Sequence, residues 1–169
     1  MQYTITDLGT IEGTYSCALG INESGQVVGS SSFGNNSYMH AFLYENGTMT
    51  DLGAFGGKVS YASAINDAGQ VVGYSELIDN YHRHAFLYDD GTMQDLNDLV
   101  IAGFEGWSYL QDARAINNQG QIAGQGMTIN GDAHAFLLTP EPVPEPATML
   151  LLGSGLVGLT GFRWKLRKR

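Results

Sequence analysis

The sequence predicts an all-β fold: three four-stranded antiparallel repeats arranged like propeller blades, followed by a C-terminal transmembrane helix. Three observations predict it. A pair of motifs recurs along residues 1–139. Each copy consists of short β-branched and aromatic runs separated by turn residues. After Thr139 the composition turns Pro-rich, then apolar, then basic.

The repeat is read directly by self-comparison. INESGQVVG (Ile21–Gly29) returns as INDAGQVVG (Ile65–Gly73) and INNQGQIAG (Ile116–Gly124). HAFLYENGTMTDLG (His40–Gly53) returns as HAFLYDDGTMQDLN (His84–Asn97), then as HAFLL (His134–Leu138). Repeats are therefore expected at about residues 10–53, 54–97 and 109–139, with the surplus of the second interval in Asp98–Ser108.

Within the second copy, strands are predicted near Tyr61–Asn66, Gln70–Ser75, His84–Tyr88 and Thr92–Leu96. Asn46-Gly47 and Asp90-Gly91 each lie between two apolar runs, the signature of a two-residue hairpin whose central residues need positive φ. Ser24-Gly25, Ala68-Gly69 and Gln119-Gly120 mark a second hairpin in each copy. Asp95–Trp107 is expected to hold a short helical turn capped by Gly103.

The chain opens on YTITDLG (Tyr3–Gly9), which matches the fourth strand TMTDLG, while the third copy supplies only three strands before Pro140. The N-terminal strand is accordingly expected to complete the last repeat and close the ring, leaving few bare edges. Three units are few for a propeller, which usually has at least four. A small closed ring, a homo-oligomer pooling six units and a piece of a longer array all remain open, and a β-trefoil is the alternative fold.

Charge excludes one class of partner. Before Phe162 the chain carries 17 acidic residues against Lys58, Arg83 and Arg114, a net −14, and the five remaining cations lie in the last seven residues. So acidic a body repels phosphate backbones, so nucleic acid is not an expected partner. The single cysteine, Cys17, permits no intrachain disulfide or thiolate cluster and is expected as a small core residue.

The combination INxxGQVVG plus HAFLYxxGTMxDL, with HAF at His40–Phe42, His84–Phe86 and His134–Phe136, resembles the HAF repeat family. That resemblance covers Tyr3 to Thr139 and implies an extracellular protein with propeller-type repeats. It brings no catalytic residues.

The tail begins with PEPVPEP (Pro140–Pro146), a stiff extended linker. An uncharged apolar run, Ala147–Phe162, and the cluster RWKLRKR follow. As helix the run spans roughly 24 Å at about 1.5 Å per residue, short of a hydrocarbon core of about 30 Å. The stop formed by Arg163, Trp164, Lys165, Arg167, Lys168 and Arg169 reaches the interface and, by the positive-inside tendency, stays cytoplasmic. Val143–Pro146, the apolar run and the terminal cations together resemble the PEP-CTERM sorting signal. The resemblance implies an exosortase partner in the inner membrane of a Gram-negative bacterium, processing near Pro144, Glu145 and Pro146, and delivery to the cell surface or exopolysaccharide matrix. No charged n-region or apolar h-region precedes Tyr3, so export is inferred from the tail alone.

Candidate chemistry is sparse. Gly153–Gly158 fits GxGxxG but lacks a βαβ unit and a later acidic residue, and small residues in a membrane helix explain it better. His40, His84 and His134 recur in register. A metal would suit three imidazoles, yet hydrogen bonding to a neighbouring strand's backbone is the simpler role. Asp7, Asp51 and Asp95 recur beside turns and are expected to cap backbone amides. Tyr15, Phe33, Tyr38, Phe55, Tyr61, Tyr81, Phe104 and Trp107 lie in or near loops, where some would suit a sugar-stacking rim. No nucleophile elbow, zinc helix motif or P-loop is present, and no cofactor is expected. The expected role is that of a non-catalytic surface or matrix protein. Exopolysaccharide binding is the alternative, and polysaccharide hydrolysis or lysis a more distant one.

Overall fold

The structure, a computed structural model, describes residues 1–79 and 81–141. Eleven strands and one helical turn are formed among them. The first repeat supplies β1 (Ser16–Ile21), β2 (Val27–Phe33), β3 (Tyr38–Glu45) and β4 (Thr48–Gly53). The second supplies β5 (Gly56–Ile65), β6 (Val71–Leu77), β7 (Arg83–Asp89) and β8 (Thr92–Asp95). After α1 (Leu96–Leu99), the third supplies β9 (Trp107–Ile116), β10 (Ile122–Thr128) and β11 (Ala133–Leu138).

Within each repeat every neighbour pairs antiparallel. The hairpins have the predicted chemistry. Glu45 faces Thr48 and Asp89 faces Thr92, so each loop has two residues, with φ of 50° at Asn46, 82° at Gly47, 47° at Asp90 and 78° at Gly91. The glycine of GQVVG has a different cause. Gly29, Gly73 and Gly124 lie where the preceding strand bulges, and a Cβ at any of them would collide with the carbonyl oxygen of Cys17, Tyr61 or Asp112 respectively.

The repeats stack, and their cores lie between them. Alternate residues of a strand face opposite sides, so Val71 and Val72 of β6, both wholly buried, enter different cores. Val71 and Phe86 join Val28, Ala41, Leu52, Ala62 and Ile65 between repeats one and two. Val72 and Ala85 join Leu96, Leu110, Ala113, Ile122 and Phe136 between repeats two and three. Each wholly buried Val or Phe side chain contributes about 1.5–3 kcal/mol. A single repeat has no partner for its apolar face, which is the physical reason the motif comes in several copies.

Three expectations are corrected. The ring is not closed: the array is open, and Tyr3–Gly9 forms no strand and does not pair with β11, leaving Tyr3 and Ile5 exposed. The ends of the stack belong to repeats one and three, with repeat two between them, so the opening segment does not meet its complement within the chain. A trefoil is not formed either. Its barrel needs strand pairing between repeats, and here one parallel bridge, Met39 to Val59, is the only such pairing among the described residues. Finally, α1 ends at Val100 in extended conformation, three residues before Gly103, and is capped at its start by Asp95, whose carboxylate accepts from Asn97 N. The described residues contain no helix long and apolar enough to cross a membrane. The span expected at 147–169 lies outside them.

Candidate functional site

The recurring polar residues of the motifs are spent on two structural devices. The first is a histidine–aspartate pair. His40 Nδ1 lies 2.9 Å from Asp51 Oδ2, and His84 Nδ1 lies 2.6 Å from Asp95 Oδ2, each joining the third strand of a repeat to the fourth. The same aspartates cap the next turn: Asp51 Oδ1 accepts from Gly53 N at 2.7 Å and Asp95 Oδ1 from Asn97 N at 2.9 Å. Burial pushes the Asp51 carboxyl up, but the His40 hydrogen bond, the Gly53 amide and the imidazole charge outweigh it and hold its pKa below the ordinary aspartate value. The capping expected of the aspartates is present. The histidines, however, bond a carboxylate where a backbone partner was expected.

His134 stands apart. It is exposed, its repeat has no fourth strand among the described residues, and its ring meets Trp107 edge-on at 6.3 Å. The three histidines are not brought together, and no three His, Cys, Asp or Glu side chains converge on a metal-sized site among the described residues.

The second device was not foreseen as such. Asn22, Asn66 and Asn117 open the INxxG turns, and each accepts the backbone N–H of the glutamine four residues on, at 3.0, 3.0 and 2.9 Å. The side-chain amide donates to the oxygen of that glutamine's side chain and, in Asn22 and Asn66, also crosses to the next repeat. Asn22 Nδ2 donates to Asn66 O at 3.0 Å and Asn66 Nδ2 to Asn117 O at 3.1 Å. One residue on, the Glu23 amide donates to Asp67 Oδ1 and the Asp67 amide to Asn118 Oδ1. The signal was the recurrence of Asn itself, which reads from sequence as a turn residue.

Beside this ladder, the turns of repeats one and two enclose an open polar cleft of about 370 Å³, lined by Gln26, Glu45, Asn46 and Asp67 among others. The aromatic residues do not gather on one rim. Phe33 stacks on His40, Tyr61 on Tyr74, and Trp107 meets Phe136 edge-on. Phe55 and Phe104 pack against the two cores, and Tyr15 and Tyr81 are exposed. Cys17 is a free, half-buried thiol on β1.

Pro144, Glu145 and Pro146, and the stop residues Arg163, Trp164, Lys165, Arg167, Lys168 and Arg169, lie outside the described residues. The family described as "Protein of unknown function (DUF3466)" matches residues 6–135, nearly all of the repeat array. The PEP-CTERM protein-sorting motif matches residues 140–168. No curated protein and no solved structure matches the chain. The sorting motif marks an exosortase substrate that is processed at the membrane and exported to the cell surface. With three quarters of its length matched, the chain belongs to the DUF3466 family, whose function is uncharacterised, and it carries a PEP-CTERM sorting signal behind its repeats.

Proposed function

We propose that the chain is a non-catalytic component of the cell surface or exopolysaccharide matrix. Residues 1–139 are the working β domain, 140–146 the linker and processing motif, and 147–169 a transmembrane helix with its basic stop. The observation that carries this is the sorting motif at residues 140–168 behind an array whose recurrent asparagines tie neighbouring repeats together and whose His40–Asp51 and His84–Asp95 pairs brace strands within a repeat. The likeness of the repeats to HAF repeats supports the extracellular setting. Residues 1–139 carry 15 acidic residues against Lys58, Arg83 and Arg114, a net −12, and a charge this far from zero favours a soluble body.

A second reading, exopolysaccharide binding, is favoured by the cleft between the first two INxxG turns. Its size falls in the range of small-ligand sites, and Gln26, Glu45, Asn46 and Asp67 offer the donors and acceptors that sugar hydroxyls need. Fractionation of a host with and without its exosortase tests sorting: the shortened chain is expected at the surface only when the enzyme is present. The purified chain is then applied to a glycan array and to exopolysaccharide in a viscometer. Silence in both supports the scaffold; glycan binding alone supports the second reading; falling viscosity would overturn both.

A further inference from the structure

The two ends of the repeat stack are complementary, and each lacks the partner that the internal junctions have. At the internal junctions Ala62 is wholly buried and Ile65 is 8% exposed, while their counterpart in repeat one, Ile21, is 69% exposed and Ala18 is likewise exposed. At the other end, Val28 and Val72 are wholly buried, as are Ala41 and Ala85, yet the equivalent Ala123 and Ala135 of repeat three are exposed. The head of the stack therefore shows the surface that covers a repeat, and the tail shows the surface that needs covering.

The opening segment carries the same message in finer detail. Asp7 Oδ1 accepts from Gly9 N as Asp51 Oδ1 does from Gly53 N. Gly9 has φ 78° and Gly53 79°. Ser16 Oγ donates to Gly9 O and Ser60 Oγ to Gly53 O, while Ile11 N reaches Ser31 Oγ as Phe55 N reaches Ser75 Oγ. Residues 7–16 thus hold the conformation by which a chain passes from the fourth strand of one repeat into the next. The segment that would form the fourth strand there, Thr4–Leu8, has no partner strand among the described residues. Meanwhile, among the described residues, β11 pairs only with β10, and His134 lacks the aspartate that His40 and His84 have.

We infer that two copies of the chain join head to tail, Thr4–Leu8 of each becoming the fourth strand of the other's third repeat. The register follows from the internal repeats. Phe42 faces Asp51 and Phe86 faces Asp95, so Phe136 faces Asp7; Leu43 faces Thr50 and Leu87 faces Gln94, so Leu137 faces Thr6. Asp7 then meets His134, Leu8 takes the place of buried Leu52 and Leu96, and the exposed edge of β11 is covered. A head-to-tail contact closes into a ring or runs on as a filament. Two chains give six four-stranded units, within the roughly four to eight at which propellers close.

The test uses the full chain in detergent, with Cys17→Ser to remove the native thiol and Thr6→Cys with Leu137→Cys to report the register. Mild oxidation is expected to give a covalent two-chain species, and co-expressing the two single-cysteine chains is expected to give the mixed pair. A link within one chain would overturn the inference, as would a folded chain that forms no link or a ladder of higher multiples. Light scattering on the unsubstituted chain decides independently of any folding defect: a mass of two chains supports the pairing, and a mass of one chain refutes it.

Discussion

Asn66 Nδ2 donates to Asn117 O across the boundary between repeats two and three, as Asn22 Nδ2 does to Asn66 O across the boundary before it. One residue type therefore closes a turn within its own repeat and fixes the spacing of the next. Asn66 is only 3% exposed, while the bonds it makes to Ala68, Gln70 and Asn117 are part-buried.

Asn66→Ala should be correspondingly costly. It strips the acceptor from the Ala68 and Gln70 amides and the donor from Asn117 O. A net hydrogen bond is worth about 0.5–1.5 kcal/mol, and these three are part-buried. The expected loss is about 3 kcal/mol, read as a fall in the urea midpoint. A loss below about 0.5 kcal/mol would show that the ladder is incidental to stability.

The His40–Asp51 pair predicts a pH dependence. Asp51 has a folded-state pKa below its ordinary value, so it contributes stability above the unfolded aspartate pKa and loses it as pH falls through the lower folded value. His40→Ala removes the hydrogen bond that holds the pKa down. The variant is expected to be about 1 kcal/mol less stable than the parent at neutral pH. That gap should narrow steadily below about pH 4, as urea titrations across the acid range would show.

Asp79 provides an exposed counterpart. The His82 side chain, then the Tyr81 and His82 amides, bring its pKa down to about 2, although both side chains face solvent. Carboxyl NMR is expected to place Asp79 lowest among the observed aspartates. His82→Ala should move it up toward the ordinary value with little change in unfolding midpoint, because exposed pairs contribute little.

Most of the strand pattern was legible because it is local. Asn46-Gly47 and Asp90-Gly91 dictate their turns through positive φ, and runs such as Val71-Val72 leave few alternatives to a strand. The open ends were not legible. Tyr3–Gly9 carries the chemistry of a fourth strand, but whether it meets His134 of its own chain depends on the rotation accumulated over three repeats, which no local signal encodes. The Gly103 expectation failed for a related reason. A glycine free to adopt positive φ marks where a helix can end, while Val100 in extended backbone had already ended this one. The Asn ladder was visible as recurrence but not as contact, because the amide's second partner is supplied by stacking.

The repeated glycine of GQVVG gives the sharpest mutational contrast. At Gly73 an added Cβ meets Tyr61 O and the Phe86 ring, and backbone on the bulged strand cannot swing aside as a flexible side chain would. At Gly91 the same methyl meets nothing within contact range, and the only cost is a left-handed φ of 78°. Gly73→Ala is therefore expected to lose roughly 3 kcal/mol or more through overpacking. Gly91→Ala should lose about 1 kcal/mol through backbone strain. Equal losses in chemical denaturation would mean that backbone freedom, and not the close approach of β5 to β6, is what the motif glycine supplies.

The sorting motif makes a prediction that does not depend on the repeats at all. If processing is directed by Pro144, Glu145 and Pro146, replacing all three with Ala leaves the apolar run and its cations untouched while removing the rigid, charged element before them. The altered chain should still enter the membrane, since insertion depends on the apolar stretch and the stop, but should accumulate there at full length. Immunoblots of membrane and surface fractions separate the cases. Full-length chain in the membrane with none at the surface supports direction by these residues, whereas normal shortening and release would move the recognition element elsewhere in the tail.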